Sequence, residues 1–257
     1  MCYSFFFCNL LISCTKNVKK ESTDESIVEP PTHAFLDINV YLQAAISGTN
    51  TEMSTGLTGV IPTNDPYGVG VTCPDINTIP DVVDWIKVEL WRAEIPKEKL
   101  YSFSALLLKN GKIVDIDGKS FLKHAQEGNY HIVVKHRNHM AIMSAEVSLK
   151  IGSTTSVDFT QNATAAIGGN SPLYHLTNGF YGMHYGEFNH DCDISNTDGQ
   201  EAWDAITSHG FTPGYFNDDF NMDKVVNVND TYVYSSNDPD YKASLYGWPA
   251  GSCTPYK

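Results

Sequence analysis

The sequence predicts a mainly β protein: an antiparallel β-sandwich over residues 33–160, followed by a small module over 180–240 built on two repeated acidic loops. Three observations lead there. Apolar and polar residues alternate with period two in short segments between Leu36 and Phe159. Turn signals such as Asn110-Gly111 and Asp117-Gly118 separate those segments. Beyond residue 180 the pattern gives way to two Asp- and Asn-rich windows of the same layout.

The chain has 257 residues and a net charge of −13, long enough for a sizeable core and one or two domains. The acidic balance argues against nucleic acid as a partner, because phosphate recognition needs a basic surface. Apolar content of 42% is that of a folded protein.

Residues 1–14 read as a secretory segment. Phe5 to Ile12 is an apolar run of signal-peptide length, too short to span a bilayer. Leu11-Ile12-Ser13-Cys14 resembles a bacterial lipobox, which implies lipidation at Cys14. The other reading is a buried N-terminal strand. Residues 15–32 are Lys, Glu, Ser and Thr with almost nothing apolar, the composition of a solvated tether. The expected location is therefore the bacterial cell envelope, at the outer membrane or cell surface, held by lipid alone.

Leu36, Ile38, Val40 and Leu42 share one face of the first predicted strand. Residues 47–81, rich in Gly, Thr, Asn and Pro, form an unusually long connection, expected to cover a sheet edge or carry function. Val82 to Leu90 is the next strand. Ser104–Leu108 and Ile113–Ile116 flank Asn110-Gly111, which predicts a hairpin with a type I′ turn. Tyr130–His136, Ala145–Ile151 and Val157–Phe159 complete about seven strands. The Gly128-Asn129-Tyr130 start of a strand is similar to prealbumin-like sandwiches of surface proteins. Residues 161–179 read as a linker, and 241–257 as a tail.

The loops carry the chemistry. In the window from Asp219 to Asp230, oxygen-bearing side chains fall at positions 1, 3, 5, 9 and 12: Asp219, Asn221, Asp223, Asn227 and Asp230. Position 7, Val225, offers its carbonyl. This is the spacing of an EF-hand-type calcium loop, in which six to eight hard oxygens converge at about 2.3–2.6 Å. A second copy begins at Glu187, with Asn189, Asp191, Ser195 and Asp198 in the same positions and the carbonyl of Asp193 at position 7. Position 8 is apolar in both, Ile194 and Val226, where paired loops bridge. The alternative is two Asp/Asn-rich turns that hold no ion.

The two loops resemble the duplicated calcium segments of dockerin-like domains, whose twelfth position is Asp, as Asp198 and Asp230 are here. The resemblance implies a small α-helical module with two Ca²⁺ sites. Position 6, usually Gly, is Cys192 in one loop and Lys224 in the other, and position 1 of the first loop is Glu187. At position 6 a non-glycine residue must take a left-handed backbone or open the loop. The second loop, with the shorter Asp219 at position 1, is expected to bind more tightly.

Other candidates read as structural. His136 and His139 lie three apart, a spacing that places side chains on opposite faces of one strand. His136 is expected as a hydrogen-bonded histidine at the core's edge; the alternatives are a ligand-binding or hydrogen-bond cluster at a strand end and a metal site on His136 and His139. Asp115-Ile116-Asp117-Gly118 reads as a turn, Trp85 and Trp91 as packing, Trp203 as part of the loop module's core, and Trp248 as exposed. Cys73, Cys192 and Cys253 leave any disulfide pairing unassigned. No nucleophile elbow, His-Glu-x-x-His, phosphate loop or dinucleotide fingerprint is present. The expected function is that of a non-enzymatic, calcium-binding surface lipoprotein that docks, adheres, or binds a protein or glycan. The alternatives are an enzyme or accessory subunit in polysaccharide degradation and a purely structural calcium-clipped protein.

Overall fold

The computed structural model describes residues 31–94, 98–168, 172–190, 194, 196–209, 211–227 and 229–230. Cys14, Asp191, Cys192, Asp193, Ser195, Trp248 and Cys253 lie outside the described residues, so the anchor and a third of the first loop do too.

Strand β1 is Ala34–Asn39, with Ala34, Leu36 and Ile38 buried and the residues between them half-buried, as the alternation requires. Then come β2 (Val82–Arg92), β3 (Lys99–Leu108), β4 (Lys112–Val114), β5 (Leu122–His124), β6 (Gly128–His136), β7 (His139–Leu149) and β8 (Thr154–Asp158). Three two-residue strands follow: β9 (Ala166–Ile167), β10 (Tyr174–His175) and β11 (Tyr181–Gly182). The helix α1 spans Asn196–His209. Among the described residues the protein is mainly β, its strand pairs are antiparallel save one, and it has little helix.

The hydrogen-bonded order is β5-β1-β4-β3-β2-β6-β7-β9. The exception is β8, which runs parallel to β1 from Phe35↔Thr154 to Asn39↔Asp158. A strand has two edges, so β4 and β5 share the other edge of β1. They pair with Ile38–Asn39 and Ala34–Leu36 in turn, as one strand interrupted by a turn. That turn is the Asp117 motif, whose carboxylate accepts the amides of Lys119 and Ser120 at 2.8 and 2.7 Å. The expected type I′ turn at Asn110-Gly111 is corrected. Only Gly111 has a positive φ, +87°, and β3 and β4 are joined by a three-residue loop closed by Gly111 N–H to Leu108 O. Such loops need one left-handed residue, not two.

β2 is the central strand, buried on both faces along nearly its whole length. Leu36, Ile38, Ile86, Val88, Leu90, Ile132 and Val134 anchor one main core. The long 47–81 connection covers it, with Met53, Leu57, Ile61 and Ile76 buried. Tyr67 donates to Trp85 O at 2.9 Å, and Trp85 Nε1 donates to Pro62 O at 2.8 Å. Asp65 holds this connection in shape. Its carboxylate accepts the amides of Tyr67, Val69, Gly70 and Val71 and the hydroxyl of Ser104, at 2.8–3.1 Å.

Within residues 161–179, expected as a linker, two short strands pair. Ala166 and Ile167 pair with Ser144 and Met143, and β10 pairs with β11. Two-residue strands are too short to show an alternation, which is why the sequence pattern hides them. Among the described residues no helix is long and apolar enough to cross a membrane.

Candidate functional site

The chain reaches the first loop along Tyr41–Gln43, where Met183 donates to Tyr41 O at 2.8 Å and Gln43 donates to Met183 O at 3.1 Å. The two loops that follow share a local geometry. In the second, Asp230 Oδ1 accepts the amides of positions 2 and 3, Phe220 at 2.9 Å and Asn221 at 3.2 Å. In the first, Asp198 Oδ1 accepts the amides of Phe188 at 3.0 Å and Asn189 at 3.2 Å. Position 4 is left-handed in both, at φ +60° for His190 and +57° for Met222. The same carboxylate thus closes the same turn twice. Helix α1 starts at position 10 of the first loop and places Asp198 in its first turn, where the amide dipoles favour a carboxylate.

The second loop coils more fully within the described residues. Asp219 accepts the amide of Asp223 at 3.1 Å and that of Lys224 at 2.9 Å. Asn221 Oδ1 also accepts from the Asp223 amide, and Asp230 Oδ2 accepts the Asn227 amide at 2.9 Å. Lys224 takes the left-handed backbone expected of position 6, φ +78°. Gly56 of the long connection sits so close that a Cβ there would lie 2.3 Å from Met222 O. Only glycine lets the two backbones approach this far.

Both loops lean on the β6–β7 hairpin. Asn138 is fully buried. Its carbonyl accepts the amide of Gly186, just before the first loop, at 3.0 Å, and its Nδ2 donates to Asp219 O at 2.7 Å. Arg137 beside it donates to Phe216 O, stacks over Tyr215 at 4.4 Å, and pairs through Nε with Asp84 Oδ2 at 2.9 Å. Asp84 also accepts from Tyr215 at 2.7 Å and from the Trp85 amide at 2.7 Å. A buried carboxylate on the central strand is thereby tied through one guanidinium to the segment that leads into the second loop.

The histidine parity expectation is corrected here. His136 ends β6 and His139 begins β7, joined by the two-residue turn Arg137-Asn138, and the two pair across the ladder. Cross-strand partners point to the same side, and the Nδ1 atoms stand 3.0 Å apart. Asp84 lies 3.1 Å from His136 Nε2 and fixes the proton there. His136 Nδ1 then accepts from His139 Nδ1–H, which also reaches Asn138 Oδ1 at 2.8 Å. As expected, His136 is a hydrogen-bonded histidine, though fully inside rather than at an edge.

The electrostatics separate the two regions. Burial alone would raise Asp84, but the Arg137 charge and hydrogen bonds from His136 and Tyr215 hold it below the usual carboxylate range. Burial pushes His136 down, and pushes His139 well down with help from the charges around it. In the second loop burial raises Asp219, and it raises Asp230 to about 6, with the charges of Asp219 and Asp223 adding to the effect. Crowded, buried carboxylates that resist ionisation fit a site that receives a cation. The donor set fits a hard ion, since its side chains offer only oxygen and each carboxylate oxygen bound to one amide keeps a second lone pair. Among the described residues, no three His, Cys, Asp or Glu side chains converge as a ready ligand cluster.

The remaining candidates fall where local packing puts them. Trp85 and Trp91 are buried. Trp203, expected in a small core, is 52% exposed on α1. Cys73 is a buried free thiol. No bridge joins Ile194 to Val226 among the described residues; the hairpin at 137–138 contacts both loop regions instead. The sequence pattern did not single out Asp84 or Tyr215. A charged residue within an apolar strand, Asp84 between Val83 and Trp85, was the available signal.

No protein-family model matches the chain, and no curated protein matches it. Solved structures with a detectable likeness include two interface mutants of a type II cohesin–X-dockerin complex from Acetivibrio cellulolyticus. One chain is 14% identical at a TM-score of 0.36, over 78% of this chain and 90% of that one. The other is 15% identical at 0.35, over 68% and 88%. Likenesses of that size establish neither a shared fold nor a shared function.

Proposed function

We propose that this is a non-enzymatic binding protein of the bacterial surface, a β-sandwich body whose loops 187–198 and 219–230 are set by Ca²⁺. The observation that carries the reading is the repeated geometry. A position-12 aspartate accepts the amides of positions 2 and 3, and position 4 is left-handed, in both loops. Two unrelated turns have no reason to share it. In the second loop Asp219, Asn221, Asp223, Asn227 and Asp230 would hold the ion with the Val225 carbonyl; in the first, Glu187, Asn189, Asp191, Ser195 and Asp198 with the Asp193 carbonyl. Bound Ca²⁺ supplies the positive charge that the clustered carboxylates lack. The chain's own part is to fix the ends of the loops. Asn138 holds position 1 of the second loop through Asp219 O and the residue before the first through Gly186 N–H. The lipobox-like Leu11-Ile12-Ser13-Cys14 supports a lipid anchor.

Calcium titration by calorimetry, beside hydrogen exchange in Ca²⁺ and in chelator, tests this on the full chain. Two binding events are expected, the tighter removed by Asp219→Ala and the weaker by Glu187→Ala. Residues 185–230 should gain protection in Ca²⁺ while β2, β3 and β6 do not change. Identical exchange in both conditions would reduce the loops to turns.

A further inference from the structure

A cleft of about 300 Å³ opens beside the second loop. Its walls come from four places in the sequence: the turn after β1 with Gln43, the β10 region with Tyr174, the approach to the first loop with Tyr185, and the second loop with Phe220, Asn221 and Asn229. The calcium reading does not use this space. Three walls belong to the β body and its short strands, and the fourth is the second loop.

The lining limits what fits. Among the described residues no Lys, Arg, His, Asp or Glu side chain lines the cleft, so these offer nothing to neutralise an anion or a cation. It is not an apolar slot either. Three carboxamides line it, and a purely hydrocarbon ligand would strip water from them without replacing its hydrogen bonds. Gln43 Oε1 is engaged by the Tyr185 amide at 3.2 Å and Asn221 Oδ1 by the Asp223 amide at 3.0 Å. Those contacts fix the two carboxamides and leave their N–H₂ groups as donors. Asn229 adds a third carboxamide. Tyr174 and Tyr185 supply half-buried ring surface beside them, and the fully buried Phe220 backs Tyr185 at 6.3 Å.

We propose that this cleft binds a neutral carbohydrate ring. A pyranose has apolar C–H faces that pack on aromatic rings and a rim of hydroxyls that pair with fixed carboxamides. Both halves of that requirement meet here in an uncharged space at the small end of ligand-site volumes, roughly 300–1,000 Å³. Because Phe220, Asn221 and Asn229 are positions 2, 3 and 11 of the second loop, the wall they form is complete only when that loop is ordered. Saccharide binding is therefore coupled to Ca²⁺, and each ligand tightens the other. The coupling rests on the calcium reading above; the choice of ligand class does not.

The test is calorimetry on the full chain with glucose, galactose, mannose, N-acetylglucosamine, cellobiose and maltose, and with glucuronic acid as the charged control. Each is run in Ca²⁺ and in chelator, with a calcium titration of the same sample. At least one neutral saccharide should bind, at least tenfold more tightly in Ca²⁺. Tyr174→Ala should weaken it tenfold or more by removing ring surface. Gln43→Glu keeps the acceptor for the Tyr185 amide and so spares the fold, but exchanges a donor for a charge; it should weaken binding at least as much. Absence of binding by every neutral saccharide at about 1 mM overturns the assignment. So does preference for glucuronic acid, or binding that survives both substitutions. If calcium heat is absent but saccharide heat is present, the calcium reading fails and the cleft stands. Calcium heat without saccharide heat does the reverse.

Discussion

Replacing Arg137 by Met should destabilise the protein by about 3–5 kcal/mol, the usual consequence of removing one partner from a buried ion pair. Asp84 is fully buried and Arg137 is 1% exposed. Four donors surround the Asp84 carboxylate, but Arg137 is the one that carries a permanent charge. Methionine keeps the apolar stem and removes the charge. The carboxylate then keeps the Tyr215 hydroxyl, the Trp85 amide and His136, none of which neutralises it at pH 7. His136 is held neutral by burial, and taking a proton is the one way it can replace the guanidinium. The variant should therefore lose less stability at acid pH than at neutral pH. It also loses the stacking on Tyr215 and the tie to Phe216 O, so residues 214–224 should exchange faster. Urea unfolding, followed by circular dichroism in chelator, gives the free energy. Asp84→Asn placed in the Arg137→Met background should recover about 2 kcal/mol, because it removes the stranded charge. A loss under about 1 kcal/mol, or two substitutions that simply add, would refute the account of this network.

Three further outcomes follow from the same chemistry. Asp230 is raised to about 6 from an ordinary value of 3.8, so without metal it favours folding fully below pH 3.8 and loses that contribution, on the order of 3 kcal/mol, as pH rises through 6. Calcium needs the ionised form, so apparent affinity should fall as pH drops through about 6, with proton release visible as buffer-dependent heat; affinity independent of pH between 5 and 7 would contradict this. Asp65→Asn should destabilise by about 3 kcal/mol in urea, since an amide presents donors to donors where the carboxylate accepts five bonds. Burial raises Asp65, but those bonds outweigh it and hold the group low, so the wild-type advantage should be present above about pH 4 and vanish as pH falls through the depressed value. Cys14→Ser should release the protein from membranes, and unchanged partitioning into detergent would rule out the anchor.

Much of this protein is written locally. Alternation placed β1 because its burial repeats every second residue, a property that neighbours in sequence share. The loops were legible for a related reason. The described residues of the second loop close on themselves, so the spacing of its Asp and Asn residues, the left-handed Lys224 and the aspartate at position 12 all act over short range. What was hidden depends on which strands meet. Read as one strand, His136 and His139 face apart; read across a two-residue turn, they face together, and a string of residues does not say which ladder forms. The partner of Arg137 stands far back on β2, and the parallel pairing of β8 with β1 brings distant ends of the chain side by side. Gln43, Tyr174 and Asn229 become neighbours only when the short strands β10 and β11 carry the chain back past β1. Those choices belong to long-range packing, in which complementary surfaces select each other after the local pattern has already been satisfied.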